Sequence, residues 1–472
     1  MEPYSVVPPG DGALEQQEPL LARDSFRYAK QRRAQRCEES PLVLTNCRLL
    51  DTRTGQCSSF GHSVVIKRGR IEAVDAQLPP QGAVVINCSG LVLMPGLCDA
   101  HVHVTATTAN LAGLYSLPES LVTARAADIL EGMISRGFTT VRDAGGADWG
   151  LAEAVEEGSI LGPRLLFTGH ALSQTGGHGD FRGKGEDCCC CGAALRGIGR
   201  VCDGVDACRA AARDELRKGA HCIKVMASGG VASPTDRLTN TQFSLEELTA
   251  ICQEAEAAGT YVAAHAYTPP AIKRALSAGV RSIEHGNWLD EETASLMANL
   301  GAYLVPTTIT YAALQREGVA AGMPQELVDK VGEAVKQGQR SMAVARSCGV
   351  KMCYGSDLLG ALHKYQSEEF LLRTEAGMSA PELVAAATLH CAQLFNKEGE
   401  LGELLAGAAA DLILVDGDPL QDIACLAGSS SDGSSSSSSS GGGSNIPLVI
   451  KDGLLAKVPH VGLLDVNRQL VR

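Results

Sequence analysis

Residues 91–103 read LVLMPGLCDAHVH, an apolar run that ends in two histidines. The run predicts a β-strand, and alternate residues of a strand point in the same direction. His101 and His103 can therefore reach one metal ion from the end of this strand. Taken alone, the pair could equally be two polar residues at a strand end.

Seven further apolar segments follow this run, separated by amphipathic stretches with helical periodicity, several of which end at a glycine suited to a helix C-cap. They are TTVRDA (139–144), RLLFTG (164–169), CIKVMAS (222–228), YVAAHA (261–266), RSIEHG (281–286), AYLVPTT (302–308) and KMCYGSD (351–357). Eightfold alternation of strand and helix predicts an α/β fold, a (β/α)8 TIM barrel. In such a barrel the active site lies at the carboxyl ends of the strands.

Ligand-type residues stand at the ends of four later strands. Lys224 ends the fourth strand, His265 the fifth, His285 the sixth and Asp357 the eighth. Together with the histidine pair they make six such residues at five strand ends, which indicates a metal centre. Imidazole and carboxylate ligands suit Zn²⁺, with Mn²⁺, Co²⁺ or Fe²⁺ as alternatives.

Lys224 is the unusual member of this set. A protonated lysine has no lone pair and repels a cation, so a lysine among metal ligands has to be neutral or modified. Carboxylation of its amine by CO2 gives an anionic carbamate that can bridge two ions. The alternative is a lysine that reaches past the site to a substrate carboxylate.

The flanking segments predict a second, smaller unit. Residues 1–40 mix prolines, acids and bases without periodicity and predict a disordered leader. Short alternating runs predict the N-terminal part of a β-sandwich over 41–92, and similar runs predict its C-terminal part over 401–472. The barrel then occupies 93–400. The Ser/Gly tract 428–444 has no apolar residue to bury and predicts a flexible insert.

Composition limits the partners. Apolar residues make up 45% of the 472 residues, as in an ordinary globular enzyme, and the formal charge of −13 disfavours nucleic acid. The chain has neither a signal-like apolar segment at its start nor a membrane-length apolar run, so a cytoplasmic protein is expected. Most of the 17 cysteines are expected to be buried free thiols, and the run Cys188–Cys191 a loop insertion rather than a zinc site.

The motifs around these residues resemble the amidohydrolase superfamily, in the binuclear branch that includes Xaa-Pro dipeptidases, imidazolonepropionase-like proteins and ochratoxinase. The resemblance is carried by LMPGLCDAHVH (93–103), SQTGGHGD (173–180), IKVMASGGVASPTD (223–236), the long stretch 241–307 and YGSDLLG (354–360). It implies two divalent ions, with N6-carboxylated Lys224 as the bridge between them. One ion is held by His101, His103 and Asp357, and the other by His265 and His285.

Such a site implies hydrolysis by a metal-activated hydroxide. Asp357 is expected to act as general base and then as general acid, beyond its role as a ligand. His178, in the loop after the third strand, is expected to be catalytic by donating to the carbonyl oxygen or to bind substrate, or else is structural. Tyr267 and Tyr311 are candidate substrate contacts, or else packing residues. Arg142 is expected to pair with Asp143 inside the protein.

The sequence therefore predicts a metal-dependent amidohydrolase that cleaves dipeptides or N-acyl amino acids, in the manner of an Xaa-Pro dipeptidase or carboxypeptidase. It is expected to be a homo-oligomer whose partner is a small-molecule or dipeptide substrate, without membrane or nucleic acid. Two alternatives remain open: a cyclic amide hydrolase of the imidazolonepropionase type, which Lys224 at the bridging position disfavours, and a non-catalytic barrel scaffold.

Overall fold

The computed structural model describes residues 41–76, 79–186, 195–427, 445–458 and 465–467. The predictions for the leader 1–40, the run Cys188–Cys191 and the Ser/Gly tract 428–444 lie outside these ranges. The cysteines within them are free thiols, most of them buried. No helix of the described ranges is both long and apolar enough to cross a lipid bilayer.

The described strands, in chain order, are β1 (Leu42–Asp51), β2 (Gln56–Cys57), β3 (His62–Lys67), β4 (Arg70–Val74), β5 (Val84–Asn87), β6 (Val92–Pro95), β7 (Leu97–Val102), β8 (Phe138–Asp143), β9 (Arg164–Phe167), β10 (Ala171–Ser173), β11 (Leu195–Arg196), β12 (Gly199–Val201), β13 (Ile223–Met226), β14 (Val262–Ala266), β15 (Ser282–His285), β16 (Tyr303–Val305), β17 (Lys351–Met352), β18 (Leu412–Val415), β19 (Leu448–Lys451), β20 (Leu454–Lys457) and β21 (Asp465–Asn467).

The described helices are α1 (Leu111–Leu114), α2 (Glu119–Ser135), α3 (Trp149–Glu156), α4 (Val205–Arg217), α5 (Leu245–Ala257), α6 (Pro269–Ala278), α7 (Glu291–Leu300), α8 (Thr308–Glu317), α9 (Gln325–Val328), α10 (Val331–Ser347), α11 (Glu369–Glu375), α12 (Ala380–Ala386), α13 (Leu389–Leu394) and α14 (Ala424–Ala427), with a 3₁₀ helix over Gly360–Glu368. Their ends follow local rules. Ser244 and Glu247 form a capping box before α5, and α6 ends at Gly279 in the left-handed region, with φ 101°.

Strands from both ends of the chain share one sheet. Its main path runs β20-β19-β18-β6-β1-β3-β4, and β2, β5 and β21 pair at its side. The two ends meet where β18 pairs antiparallel with β6, Leu412 opposite Pro95 and Val415 opposite Val92. Buried aliphatic residues of β1, β3, β6, β18 and β19 form the core of this sheet. The residue boundaries drawn from the sequence between this part and the barrel stay predictions.

The segment 91–103 differs from its expected form, because its single predicted strand is two. β6 belongs to the sheet just described, whereas β7 pairs in parallel with β8. Gly96 separates them: its N–H donates to Asp411 O (2.8 Å), and a Cβ at this position would overlap the Thr139 side chain. The chain thus changes sheets at the one residue small enough for the close approach.

Parallel strands occur at all eight predicted positions, in two sheets: β7-β8-β9, and β11-β12-β10-β13-β14-β15-β16-β17. They do not form one continuous closed ladder. Isolated backbone hydrogen bonds join them at two places. At one, Ala100 N donates to Tyr354 O (2.7 Å) and Asp357 N to His101 O (2.8 Å); at the other, His221 N donates to Phe167 O (2.8 Å). The strands β10, β11 and β12 were not predicted; β10 precedes the loop that carries His178, and β11 and β12 follow it.

A separate apolar cluster lies over the carboxyl ends of the parallel strands. Its members include Phe181, Val231, Tyr267, Tyr311 and Leu358, each contributed by a segment that follows a strand. We call this set the rim cluster. It places an apolar surface beside the strand ends at which the predicted ligands lie.

Candidate metal centre

The structure brings the first strand's two histidines together with the aspartate of the last strand. The Nε2 atoms of His101 and His103 are 3.3 Å apart, and Asp357 Oδ1 lies 3.4 Å from the first and 3.3 Å from the second. Both imidazoles are buried, and the Asp357 side chain is 17% exposed. The expected proximity of alternate residues on β7 is therefore seen, and Asp357 joins the pair from the opposite end of the barrel sequence.

His265 and His285 adjoin this trio. The ring centroid of His285 lies 5.0 Å from that of His101 and 4.6 Å from that of His265. Ligand atoms of His101, His285 and Asp357 all lie within 4.8 Å of one another, a spacing that can hold a metal ion. Asp357 thus lies near residues that the family resemblance assigned to two different ions, with His285 Nδ1 3.9 Å from its Oδ2.

Hydrogen bonds behind three of the histidines fix which nitrogen carries the proton. His101 Nδ1 donates to Glu284 Oε2 (2.7 Å), His103 Nδ1 to Gly145 O (2.8 Å), and His265 Nε2 to Gly229 O (3.0 Å). Carboxylates and carbonyls only accept hydrogen bonds, so each imidazole must be the donor. The opposite nitrogen of each neutral ring then carries a lone pair available for a metal.

This arrangement fits a bound cation. Two nitrogen lone pairs and a carboxylate oxygen within 3.4 Å repel one another unless positive charge lies between them. In the absence of metal, burial and the nearby Lys224 charge hold the pKa of His101 well below its ordinary value. Burial opposes protonation of His103 too, but the hydrogen bond and charge of Asp357, the charge of Asp143 and the Gly145 carbonyl together outweigh it and raise the pKa of His103. The nitrogen and oxygen donors match those of zinc sites.

Lys224 lies in β13, only 1% exposed. Within the described part of the chain its Nζ makes no hydrogen bond or ion pair, and burial lowers its pKa to about 8. A neutral amine is the form that reacts with CO2, so this environment suits the expected carboxylation. The Lys224 charge is also felt by His101, His265 and His285, each of whose pKa values is depressed first by burial.

Two members of the cluster have unusual backbones. His285 and Asp357 lie in the left-handed region, with φ of 70° and 53°, which residues other than glycine rarely adopt. Backbone strain of this kind occurs at turns and also where a structure holds a functional side chain in place. At His285 it also breaks the alternation of β15, so that the adjacent Glu284 and His285 both reach the cluster.

His178 stacks on His265, with ring centroids 4.3 Å apart and planes inclined by 24°. Its Nδ1 lies 2.7 Å from Ser233 Oγ, and that hydroxyl donates a short hydrogen bond to Asp236. Ser233 is thus the acceptor from His178 Nδ1–H, which leaves a lone pair on Nε2 of the neutral ring. The adjoining Gly230 is required, because a Cβ there would overlap the His178 ring. Donation to a carbonyl oxygen, the role expected from the sequence, therefore needs the doubly protonated ring.

The two tyrosines singled out from the sequence meet each other. Tyr311 donates its hydroxyl proton to the hydroxyl of Tyr267 (2.8 Å), and both side chains are buried. The Tyr267 ring lies 4.7 Å from that of His265 and 5.4 Å from that of His285. They thus form the wall where the rim cluster adjoins the histidines.

Arg142 and Asp143 do not pair with each other, contrary to expectation. Arg142 Nη2 donates to Glu284 Oε1 (2.8 Å) across the barrel, whereas Asp143 accepts the backbone N–H groups of Val104, Gly145 and Ala147. Adjacent strand residues point to opposite faces, which explains the difference. Sequence reasoning also missed Glu284; its only signal was an acid directly before a predicted ligand.

The sequence is similar to that of known hydrolases. The sequence model of the amidohydrolase family matches residues 92–453. The chain belongs to the amidohydrolase family. Ochratoxinase of Aspergillus niger is 34% identical over 347 residues, which cover 70% of this chain and 72% of that protein. The family resemblance inferred from the motifs is thus confirmed.

Two solved structures of amidohydrolase relatives extend the likeness to the fold. A prolidase complexed with N-methylphosphonate-L-proline is 46% identical, with a TM-score of 0.84 and coverage of 89% of this chain and 100% of that one. A Xaa-Pro dipeptidase with methionine bound in its active site is 30% identical, with a TM-score of 0.77 and the same coverage. The family fold, a TIM barrel with a small additional domain, is therefore that of this chain.

Proposed function

We propose that this amidohydrolase is a two-metal hydrolase that cleaves the C–N amide bond of dipeptides or N-acyl amino acids, in the manner of an Xaa-Pro dipeptidase. The observation that carries the proposal is the group of lone-pair atoms on His101, His103 and Asp357, since both imidazole Nδ1 protons point away from the shared centre. The proposal includes closure of the two parallel sheets into one barrel, supported by the hydrogen bonds that join them.

Zinc is the proposed metal, with the ligand set that the family resemblance implies. His101, His103 and Asp357 would hold one ion, His265 and His285 the other, and N6-carboxylated Lys224 would bridge them. Ions held there would lower the pKa of a bound water and polarise the scissile carbonyl. Lys224 is buried with no hydrogen-bond partner in the described residues, and this supports its role as the bridge. A carbamate on Lys224 would be negatively charged and could bind both metal ions.

Asp357 is the proposed proton carrier. Burial disfavours its charged form, but the adjacent His101 and His103 hold the pKa of Asp357 below its ordinary value, so it is an ionised acceptor at neutral pH. It takes the proton of the attacking water and delivers it to the departing amine. Its partial exposure leaves it open to the substrate side, unlike the histidines.

The substrate contacts are proposed on the same side. The rim cluster offers an apolar wall for a proline ring or a hydrophobic side chain, with the Tyr267 hydroxyl as a polar group at its edge. His178 is proposed as the group facing the scissile carbonyl. The names of the prolidase and the Xaa-Pro dipeptidase among the relatives support this substrate class.

A library of Xaa-Pro dipeptides, other dipeptides and N-acyl amino acids tests the proposal, with zinc and bicarbonate supplied. Wild type is expected to cleave a subset with an apolar residue beside the scissile bond, and Asp357→Asn to lose at least about 100-fold in kcat. Asp128→Asn, at an exposed position of α2, is the matched control and keeps full activity. Failure of wild type on the whole library refutes the substrate class, and equal activity of Asp357→Asn refutes the role of Asp357.

A further inference from the structure

A buried ion pair lies directly behind one predicted ligand. Glu284 is fully buried and receives three hydrogen bonds: from His101 Nδ1 (2.7 Å) on one oxygen, and from Arg142 Nη2 (2.8 Å) and Ser282 Oγ (2.7 Å) on the other. Arg142 is 1% exposed and also donates Nε–H to Ala100 O (2.6 Å). The carboxylate is thus fixed on both sides and faces His101.

Stability alone does not account for this pair. Removing two charges from water costs several kcal/mol per ion, and buried pairs are often no more stable than apolar residues of similar volume. The Glu284 position differs from that of a structural pair in one respect: its third donor is the ring of a predicted metal ligand. His103 and His265 donate instead to the neutral carbonyls of Gly145 and Gly229.

We propose that Glu284, held by Arg142, is a positioning residue for metal binding, which fixes the Nδ1–H form and the ring orientation of His101 and makes its Nε2 a stronger ligand. A carboxylate that accepts the Nδ1–H hydrogen bond of a ligating imidazole raises the electron density on the opposite nitrogen, Nε2, and so makes that nitrogen more basic. Arg142 balances the charge of Glu284, so the carboxylate orients and polarises His101 without adding net charge next to the metal site. The metal-binding part of this inference rests on the proposed function.

The chain supplies its own control. Glu369 and Arg373 form a second fully buried pair, with Arg373 Nε 2.8 Å from Glu369 Oε1. Glu369 accepts from the backbone of Ile309 rather than from a histidine. Glu284→Gln and Glu369→Gln therefore make the same replacement at two buried carboxyl groups that each pair with an arginine, and only the first loses a carboxylate behind a predicted ligand.

Zinc affinity is measured by competition with a chromophoric chelator. Glu284→Gln is expected to bind zinc 10- to 100-fold more weakly than wild type, the range for groups behind metal ligands. Glu369→Gln keeps wild-type affinity, although its thermal unfolding temperature falls. Glu284→Asp keeps the charge but draws the carboxylate back from His101, and is expected to lose affinity too. Wild-type affinity in both Glu284 variants overturns the proposal.

A second measurement is independent of the metal. In the metal-free protein the His101 Nδ1 proton, assigned by its absence in His101→Gln, is expected far downfield in the NMR spectrum because it is bonded to a carboxylate. It moves upfield or vanishes in Glu284→Gln and stays in Glu369→Gln. If wild type binds no zinc, the proposed function fails, and this signal alone decides whether Glu284 orients His101. An unchanged signal in Glu284→Gln refutes that role.

Discussion

Replacement of Lys224 by methionine should stabilise the metal-free protein while destroying its function. The buried amine has no hydrogen-bond partner in the described residues, and its pKa falls from 10.5 to about 8. The unfolded chain therefore binds the proton more tightly than the folded chain. The difference corresponds to on the order of 3 kcal/mol of destabilisation below pH 8, lost gradually as the pH rises to 10.5 and the folded and unfolded forms both become neutral.

The assay is chemical denaturation of chelator-treated protein in CO2-free buffer between pH 6.5 and pH 10. Lys224→Met should unfold at higher denaturant concentration than wild type at pH 7, and the gap should narrow towards pH 10. Lys336→Met, at an exposed position of α10, should show no such trend. With zinc and bicarbonate the order should reverse, because metal binding stabilises only the wild type. A Lys224→Met protein that is less stable at pH 7, or whose gap is constant with pH, would refute the reasoning.

Three further changes follow from the same contacts. Gly230→Ala should displace the His178 ring, because the new Cβ would overlap it. We expect kcat/KM to fall at least tenfold with little change in zinc content. An unchanged kcat/KM would exclude His178 from the reaction. Tyr311→Phe removes the proton donated to Tyr267, worth about 1 kcal/mol, so KM should rise severalfold with kcat nearly constant, and an altered kcat alone would contradict the substrate role. Metal-free enzyme reconstituted with zinc should regain more activity with bicarbonate than without it, as steady-state rates would reveal; equal recovery argues against a carbamate on Lys224.

The sequence predicted the strands and the histidines well because both follow local rules. Alternation at the end of β7 was enough to bring His101 and His103 together, and His265 lies near the carboxyl end of β14 as expected. Lys224 is instead the second residue of β13, and Asp357 follows β17 by five positions. These inferences need only the direction in which a side chain leaves a strand and the common edge at which parallel strands end.

What the sequence did not predict depends on contacts between distant segments. Arg142 pairs with Glu284, 142 positions away, across the barrel interior, and no local pattern connects β8 with β15. Glu284 was not predicted as a site residue because strict alternation would point it away from the face that carries His285. The left-handed backbone at His285 turns both side chains towards the site. Gly96 divides an apolar run into two strands. The run gives no sign of this, because the cause is the close approach of the Thr139 side chain, which comes from another segment.

The most direct test of the two-metal account is the metal content of the purified chain, determined by elemental analysis after loading with zinc and bicarbonate and removal of loosely bound ions. The account predicts about two zinc ions per chain in wild type and a clear loss in Lys224→Met. One ion per chain, unaffected by the Lys224 substitution, would contradict the bridged centre, and none would contradict a metal-dependent hydrolase altogether.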